Sequence, residues 1–219
     1  MSKFPSLPSN LKILQRLSVI MSSIRLSKDS IKFSPEDGKL ILAYDDISNT
    51  SEWPDGPLLE LTKGELYVVP SPSVTHQMIS QKLNVLLYNF LQESKLGVVI
   101  PAPIDVKLSE YDVVIPDLLF IQENRKEIIA ETHINGPPDL IVEILSSNRK
   151  RDLVEKKQQY EKFRIKEYVV VDPLQKQIIQ FLFDQNSNIF EEKTFSGNEN
   201  FNLKTIEGFS INLNELFDV

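Results

Sequence analysis

The stretch Pro138-Asp-Leu-Ile-Val-Glu-Ile-Leu-Ser146 constrains this chain more than any other. A run of about eight residues so rich in Ile, Val and Leu reads as a strand buried on both faces of a sheet. Glu143 stands inside it, and a lone carboxylate in such surroundings is costly unless something binds it or pairs with it. A second run of the same kind, Val113 to Ile121, carries Asp117 at its middle. Taken singly, Asp117 could be an ordinary turn residue after Pro116, and Glu143 half of a buried ion pair. Two acids in neighbouring apolar strands point instead to a shared site.

Composition narrows what that site can be. The 219 residues contain no Cys and only two His, His76 and His133. Disulfides and Cys-based zinc sites are excluded, and an imidazole-based zinc site has little to draw on. A bound metal is therefore expected to be a hard cation with oxygen ligands, Mg²⁺, Mn²⁺ or Ca²⁺. The net charge of −7 argues against a generally basic nucleic-acid-binding surface. The densest positive stretch, Ser146 to Arg151 followed by Lys156 and Lys157, reads equally as a local basic patch or as a solvated helix start. The opening residues lack an apolar signal core, and no apolar run approaches the roughly twenty residues of a membrane span. No membrane association is expected, and the location expected is cytoplasmic.

Residues 1–57 read as an N-terminal extension packed on the core, with helical spacing from Leu11 to Ile24, a short strand from Lys39 to Tyr44 and a loop from Asp45 to Pro57. Residues 58–219 read as one domain. Leu58 to Val69 alternates around Lys63-Gly64 and predicts a hairpin. Thr75 to Ser94 predicts a helix with Ile79, Leu83, Leu86, Leu87, Phe90 and Leu91 on one face and His76 near it, ended by Gly97. Val98 to Leu108 alternates as one strand, with Asp105 and Lys107 turned the other way, and Glu123 to Pro137 predicts a short helix and a loop that holds His133. Asp152 to Phe163 predicts a helix with Asp152, Lys156 and Tyr160 along one face. A strand from Glu167 to Val171, a hairpin of Ile178 to Phe183 with Ile189 to Phe195, and an alternating segment from Phe209 to Phe217 complete the chain.

The order helix, strand, Asp-bearing strand, Glu-bearing strand, helix, strand resembles the core of the PD-(D/E)xK restriction-endonuclease-like superfamily. More closely, the chain resembles its Uma-type branch. The residues that carry this are Gly64-Glu65-Leu66, Ser71-Pro72 with His76, Pro116-Asp117-Leu118, Pro138 to Ser146, Asp152 with Lys156 and Tyr160, and Glu167 to Pro173. The resemblance implies a mixed-sheet α/β fold with an α-β-β-β-α-β core and flanking hairpins. It implies a Mg²⁺- or Mn²⁺-dependent endonuclease acting on phosphodiester bonds in DNA, or a nuclease-derived binding or regulatory domain without turnover. Asp117 and Glu143 would hold the metal, with the Ile144 carbonyl a third ligand. The superfamily's lysine two residues after the strand acid is replaced here by Leu145, and Lys156 on the following helix matches the position implied for the Uma-type branch. Glu65 and His76 match additional catalytic positions. A homodimer through apolar strand or hairpin surfaces is a further expectation.

Overall fold

A computed structural model describes residues 32–33, 40–48, 58–146, 149 and 151–219. The predicted helix from Leu11 to Ile24 and most of the loop up to Pro57 lie outside these residues.

The chain builds two sheets and crosses between them. After β1 (Lys32–Phe33), β2 (Leu40–Ile41) and the short helix α1 (Tyr44–Ser48) come β3 (Leu59–Thr62) and β4 (Glu65–Val68). Their turn, Lys63-Gly64, has positive φ at both residues, 53° and 79°. That geometry matches the right-handed twist of a two-residue hairpin, and Gly takes it without strain. Helix α2 (Val74–Ser94) begins at Ser73, whose side chain caps it by accepting from the His76 N–H. Lys95, in the left-handed conformation, ends it, where Gly97 was expected to. Gly97 serves a different purpose as the first residue of β5 (Gly97–Pro101), since a Cβ there would meet the Ile121 carbonyl oxygen at 2.1 Å.

The single strand expected from Val98 to Leu108 is two, β5 and β6 (Asp105–Lys107), separated by Ala102-Pro103 and lying in different sheets. Pro has no N–H to give a ladder, so the prolines at 101 and 103 mark the crossing. The chain crosses back between β7 (Val113–Val114) and β8 (Leu118–Gln122). Asp117 therefore stands at the second crossing rather than in mid-strand. A 3₁₀ turn (Glu123–Ile128) follows, then β9 (His133–Asn135), which puts His133 on a strand and not in a loop. β10 (Leu140–Ile144), a π-helical turn (Arg151–Lys156), α3 (Lys157–Lys162), β11 (Glu167–Asp172), β12 (Gln177–Asp184), β13 (Ile189–Ser196), β14 (Asn200–Asn202), β15 (Ser210–Asn212) and α4 (Leu213–Phe217) complete the chain.

The larger sheet has the order β13-β12-β11-β10-β8-β5, with β10 and β11 parallel and the other neighbours antiparallel. The smaller has the order β4-β3-β7-β6-β9. All five residues of β10 are buried, as expected of a strand covered on both sides. Leu140, Val142 and Ile144 face α2 through Ile79, Leu83, Leu87 and Leu91, while Ile141 and Leu145 pack with Tyr160 and Tyr168 on the other side. Strand alternation puts Glu143 on that second side. Residues 40–48 lie against the smaller sheet: Leu42, Tyr44 and Ile47 join Leu59, Leu61 and Val113 in an apolar cluster. The Tyr44 hydroxyl donates to Asp105 at 3.2 Å, and Lys107 lies over its ring.

Candidate active site

The β5–β6 and β7–β8 crossings and the end of β10 meet at one cavity of about 400 Å³, and Asp117, Glu143, Lys156 and His76 all line it. The two acids thus border the same cavity, Asp117 beside His76 and Glu143 beside Lys156 and Tyr160. Asp117 is fixed from three directions. Its backbone carbonyl accepts from the Ala102 N–H at 2.9 Å, its Oδ2 accepts from the Ile144 N–H at 2.7 Å, and His76 Nε2 approaches the same Oδ2 at 3.1 Å. His76 is held in the first turn of α2 by the Ser73 cap, and its Nδ1 is buried without a hydrogen-bond partner.

Glu143, 4% exposed, takes two hydrogen bonds on Oε1, from Lys156 Nζ at 2.7 Å and from the Tyr160 hydroxyl at 2.6 Å. Lys156 comes from the π-helical turn, where an α-helix was expected. π turns are rare and concentrate at functional sites. Here one carries Arg151, Asp152 and Lys156, all buried polar groups, toward the cavity. The Tyr168 hydroxyl donates to the Asp152 carbonyl at 2.9 Å and ties the turn to β11. α3 is fastened to the smaller sheet by Gln159, whose side chain donates to the Leu61 carbonyl at 3.3 Å and to Asp112 at 3.2 Å.

Glu65 does not line this cavity. Register pairs it with Thr62 beside the hairpin turn, whereas Glu60 pairs with Tyr67, and both of these line the cavity. Glu65 and Tyr67 share a face, but Glu65 lies two residues nearer the turn, about 7 Å along the strand. The hairpin acid that the fold brings in is Glu60, which the sequence reading did not single out. Its Oε1 accepts from the Ile115 N–H at 2.9 Å and lies 3.2 Å from Lys156 Nζ, and its Oε2 lies 2.6 Å from Arg151 Nη2. Glu60 carried the same signal as Glu143, a lone charge between apolar strand residues, in Leu59-Glu60-Leu61.

With this geometry in place, residues 48–214 match the Uma2 family, described as "Putative restriction endonuclease". The chain belongs to the Uma2 family. Among solved structures it is similar to a putative nuclease belonging to DUF820 from Anabaena variabilis, with a TM-score of 0.62 at 15% identity, covering 74% of this chain and 90% of that one. At that identity the likeness establishes the fold, which is restriction-endonuclease-like. No curated protein matches the chain.

The electrostatics of this Uma2 cavity are unbalanced. Five carboxylates line it, Glu60, Asp117, Glu143, Asp152 and Glu155, against two permanent cations, Arg151 and Lys156, which leaves a formal charge of −3 if every acid is ionised. Burial pushes the Glu143 carboxyl well above the ordinary carboxylate range; Lys156 opposes this, and Asp117, Glu60 and Asp152 reinforce it. Burial likewise raises Asp152. Burial pulls Lys156 down, but Glu143, Glu60 and Asp152 outweigh it and keep the ammonium charged. The same contest raises His76, where the hydrogen bond and charge of Asp117 overcome burial. Glu143 and Asp152 therefore hold their protons to higher pH than ordinary carboxyl groups. The cavity's acidic donors are oxygens, the ligand class that hard divalent ions take. Among the described residues no group of three or more His, Asp or Glu side chains is placed to hold a metal ion. Mg²⁺ commonly needs only one or two carboxylates, the remaining positions going to water and phosphate.

Proposed function

We propose that this chain is a metal-dependent endonuclease that hydrolyses phosphodiester bonds in DNA, with Asp117 and Glu143 as ligands of one Mg²⁺ or Mn²⁺. The observation that carries this reading is the convergence of Asp117, Glu143 and Lys156 on one cavity, from a sheet crossing, a buried strand and a π-helical turn. It explains how Leu145 can stand where the superfamily places its lysine: the ammonium arrives from the next helical segment and reaches Glu143 at 2.7 Å.

When bound, the metal polarises the phosphoryl group and makes water more acidic. The chain's own residues supply the rest. His76 and the Ile144 N–H hold Asp117 Oδ2, which fixes the direction of its other oxygen. Lys156 is kept protonated by Glu143 and Glu60, so it acts by offsetting negative charge at the phosphate and orienting water rather than by removing a proton. Glu60 and Tyr160 hold Lys156 and Glu143 in register, Glu60 from the hairpin and Tyr160 from α3.

The test is cleavage of supercoiled plasmid and of single-stranded DNA with Mg²⁺ or Mn²⁺, for the wild type and for Asp117→Ala and Glu143→Gln. Conversion that depends on metal and falls at least a hundredfold in both variants is expected. Cleavage that persists in both removes the assigned site. A folded wild type that binds metal and nucleic acid but cleaves neither substrate supports the other reading, a domain that binds without turnover.

A further inference from the structure

Building on the nuclease reading, we propose that Arg151 is the phosphate clamp of this site, a binding residue that grips a substrate phosphate oxygen beside the metal position. A guanidinium carries five N–H donors and no acceptor, and when buried it needs oxygens to receive them. Arg151 is 9% exposed and lines the cavity, and its Nη2 is a buried nitrogen without an aligned hydrogen-bond partner. Nη2 does lie 2.6 Å from Glu60 Oε2, so the contact with Glu60 is one of charge and not an aligned hydrogen bond.

What fixes the guanidinium is therefore stacking and charge. Its central carbon lies 4.2 Å from the centroid of the Tyr67 ring, a cation–π contact that anchors one face. Glu60 holds one end, and the same carboxylate touches Lys156, so the two buried cations stand within the span of a single side chain. The planar guanidinium suits an oxyanion with paired oxygens, the geometry in which Arg–phosphate contacts are strongest. A purely structural ion pair accounts for the charge contact but leaves the buried Nη2 without an aligned hydrogen bond. Charge balance assigns the order of events: the acid-rich cavity repels anions until a divalent cation offsets its carboxylates, after which Arg151 faces the one ligand class that both would share, phosphate.

The test uses the full chain and a short fluorescein-labelled single-stranded oligonucleotide, with binding measured by anisotropy in Ca²⁺ at several salt concentrations. For Arg151→Gln we expect affinity to fall about tenfold and the slope of log K against log salt to shrink by about 0.7, one phosphate contact on a single strand. Arg151→Lys keeps the charge and loses the fork, so it should recover part of the affinity, and it serves as the test if the Gln variant fails to fold. Inorganic phosphate should compete with the oligonucleotide on the wild type and less on Arg151→Gln. Unchanged affinity and slope in a folded Arg151 variant overturn the clamp, as does a wild type that binds neither the oligonucleotide nor phosphate. The two readings fail separately. Arg151-dependent binding without cleavage in Mg²⁺ keeps the clamp and removes the nuclease, whereas cleavage with an unaltered KM in Arg151→Gln does the reverse.

Discussion

Glu143 and Lys156 are each other's condition for burial. Removing Lys156 leaves Glu143 and Glu60 without their shared cation, and removing Glu143 leaves Lys156 with Glu60 alone; breaking a buried pair typically costs about 3–5 kcal/mol. Glu143→Ala should therefore be among the most destabilising substitutions in the chain. Glu143→Gln keeps an acceptor for Lys156 and Tyr160 and should cost clearly less. Urea unfolding of the two variants checks this, and equal losses would show that the pair does not stabilise the fold as the geometry implies. At this scale the sequence was most legible where a charge was out of place. Glu143 announced itself as a lone acid in an apolar run, and Lys156 was reached through the resemblance and the helical phase. Glu65 and Glu60 show the limit. Both are acids of one hairpin, and which of them meets the cavity depends on cross-strand register with Tyr67 and on where α3 docks, neither of which is written locally.

Elements were legible where periodicity is continuous. α2, β10, β11 and the β12–β13 hairpin follow from it with small shifts at their ends. The failures share one cause: alternation records which way a side chain points but not which sheet its strand joins. Val98 to Leu108 alternates without interruption while the backbone leaves one sheet and enters the other, and Asp117 lies at the return crossing. The π-helical turn was equally hidden, because its anchors, Glu60 on Arg151, Glu143 on Lys156 and Tyr168 on the Asp152 carbonyl, come from strands distant in the chain. β10 is entered through Asp139, which is fully buried and held by the Gln122 N–H at 2.9 Å, Arg125 at 2.8 Å and Lys166 at 2.7 Å. Burial alone would raise its carboxyl, but these partners hold it below the ordinary carboxylate value. A lowered folded-state pKa contributes stability that is present above the unfolded value, about 3.9, and is lost as pH falls through the folded one. Asp139→Asn should thus cost about 1–3 kcal/mol at pH 7, and the gap from wild type should narrow below pH 4. Denaturant titrations at both pH values measure it, and a gap that does not change with pH would place the cost in packing instead.

For the whole molecule, the net charge of −7 is matched by a cavity in which five carboxylates face two permanent cations. The fold supplies a frame for this site: the Ile144 N–H donates to Asp117, the Tyr160 hydroxyl donates to Glu143, and Glu60 pairs with Lys156. Because Glu143 and Asp152 hold protons above the ordinary range, a cation must displace them, and its affinity should rise with pH through neutrality. The most direct measurement of the central claim, one divalent cation shared by Asp117 and Glu143, is Mn²⁺ binding by electron paramagnetic resonance and calorimetry on the wild type, Asp117→Asn and Glu143→Gln. We predict one ion per chain, bound more tightly at pH 8 than at pH 6, with affinity reduced at least tenfold in each variant. Binding that is unchanged in a folded Asp117→Asn protein would contradict the account.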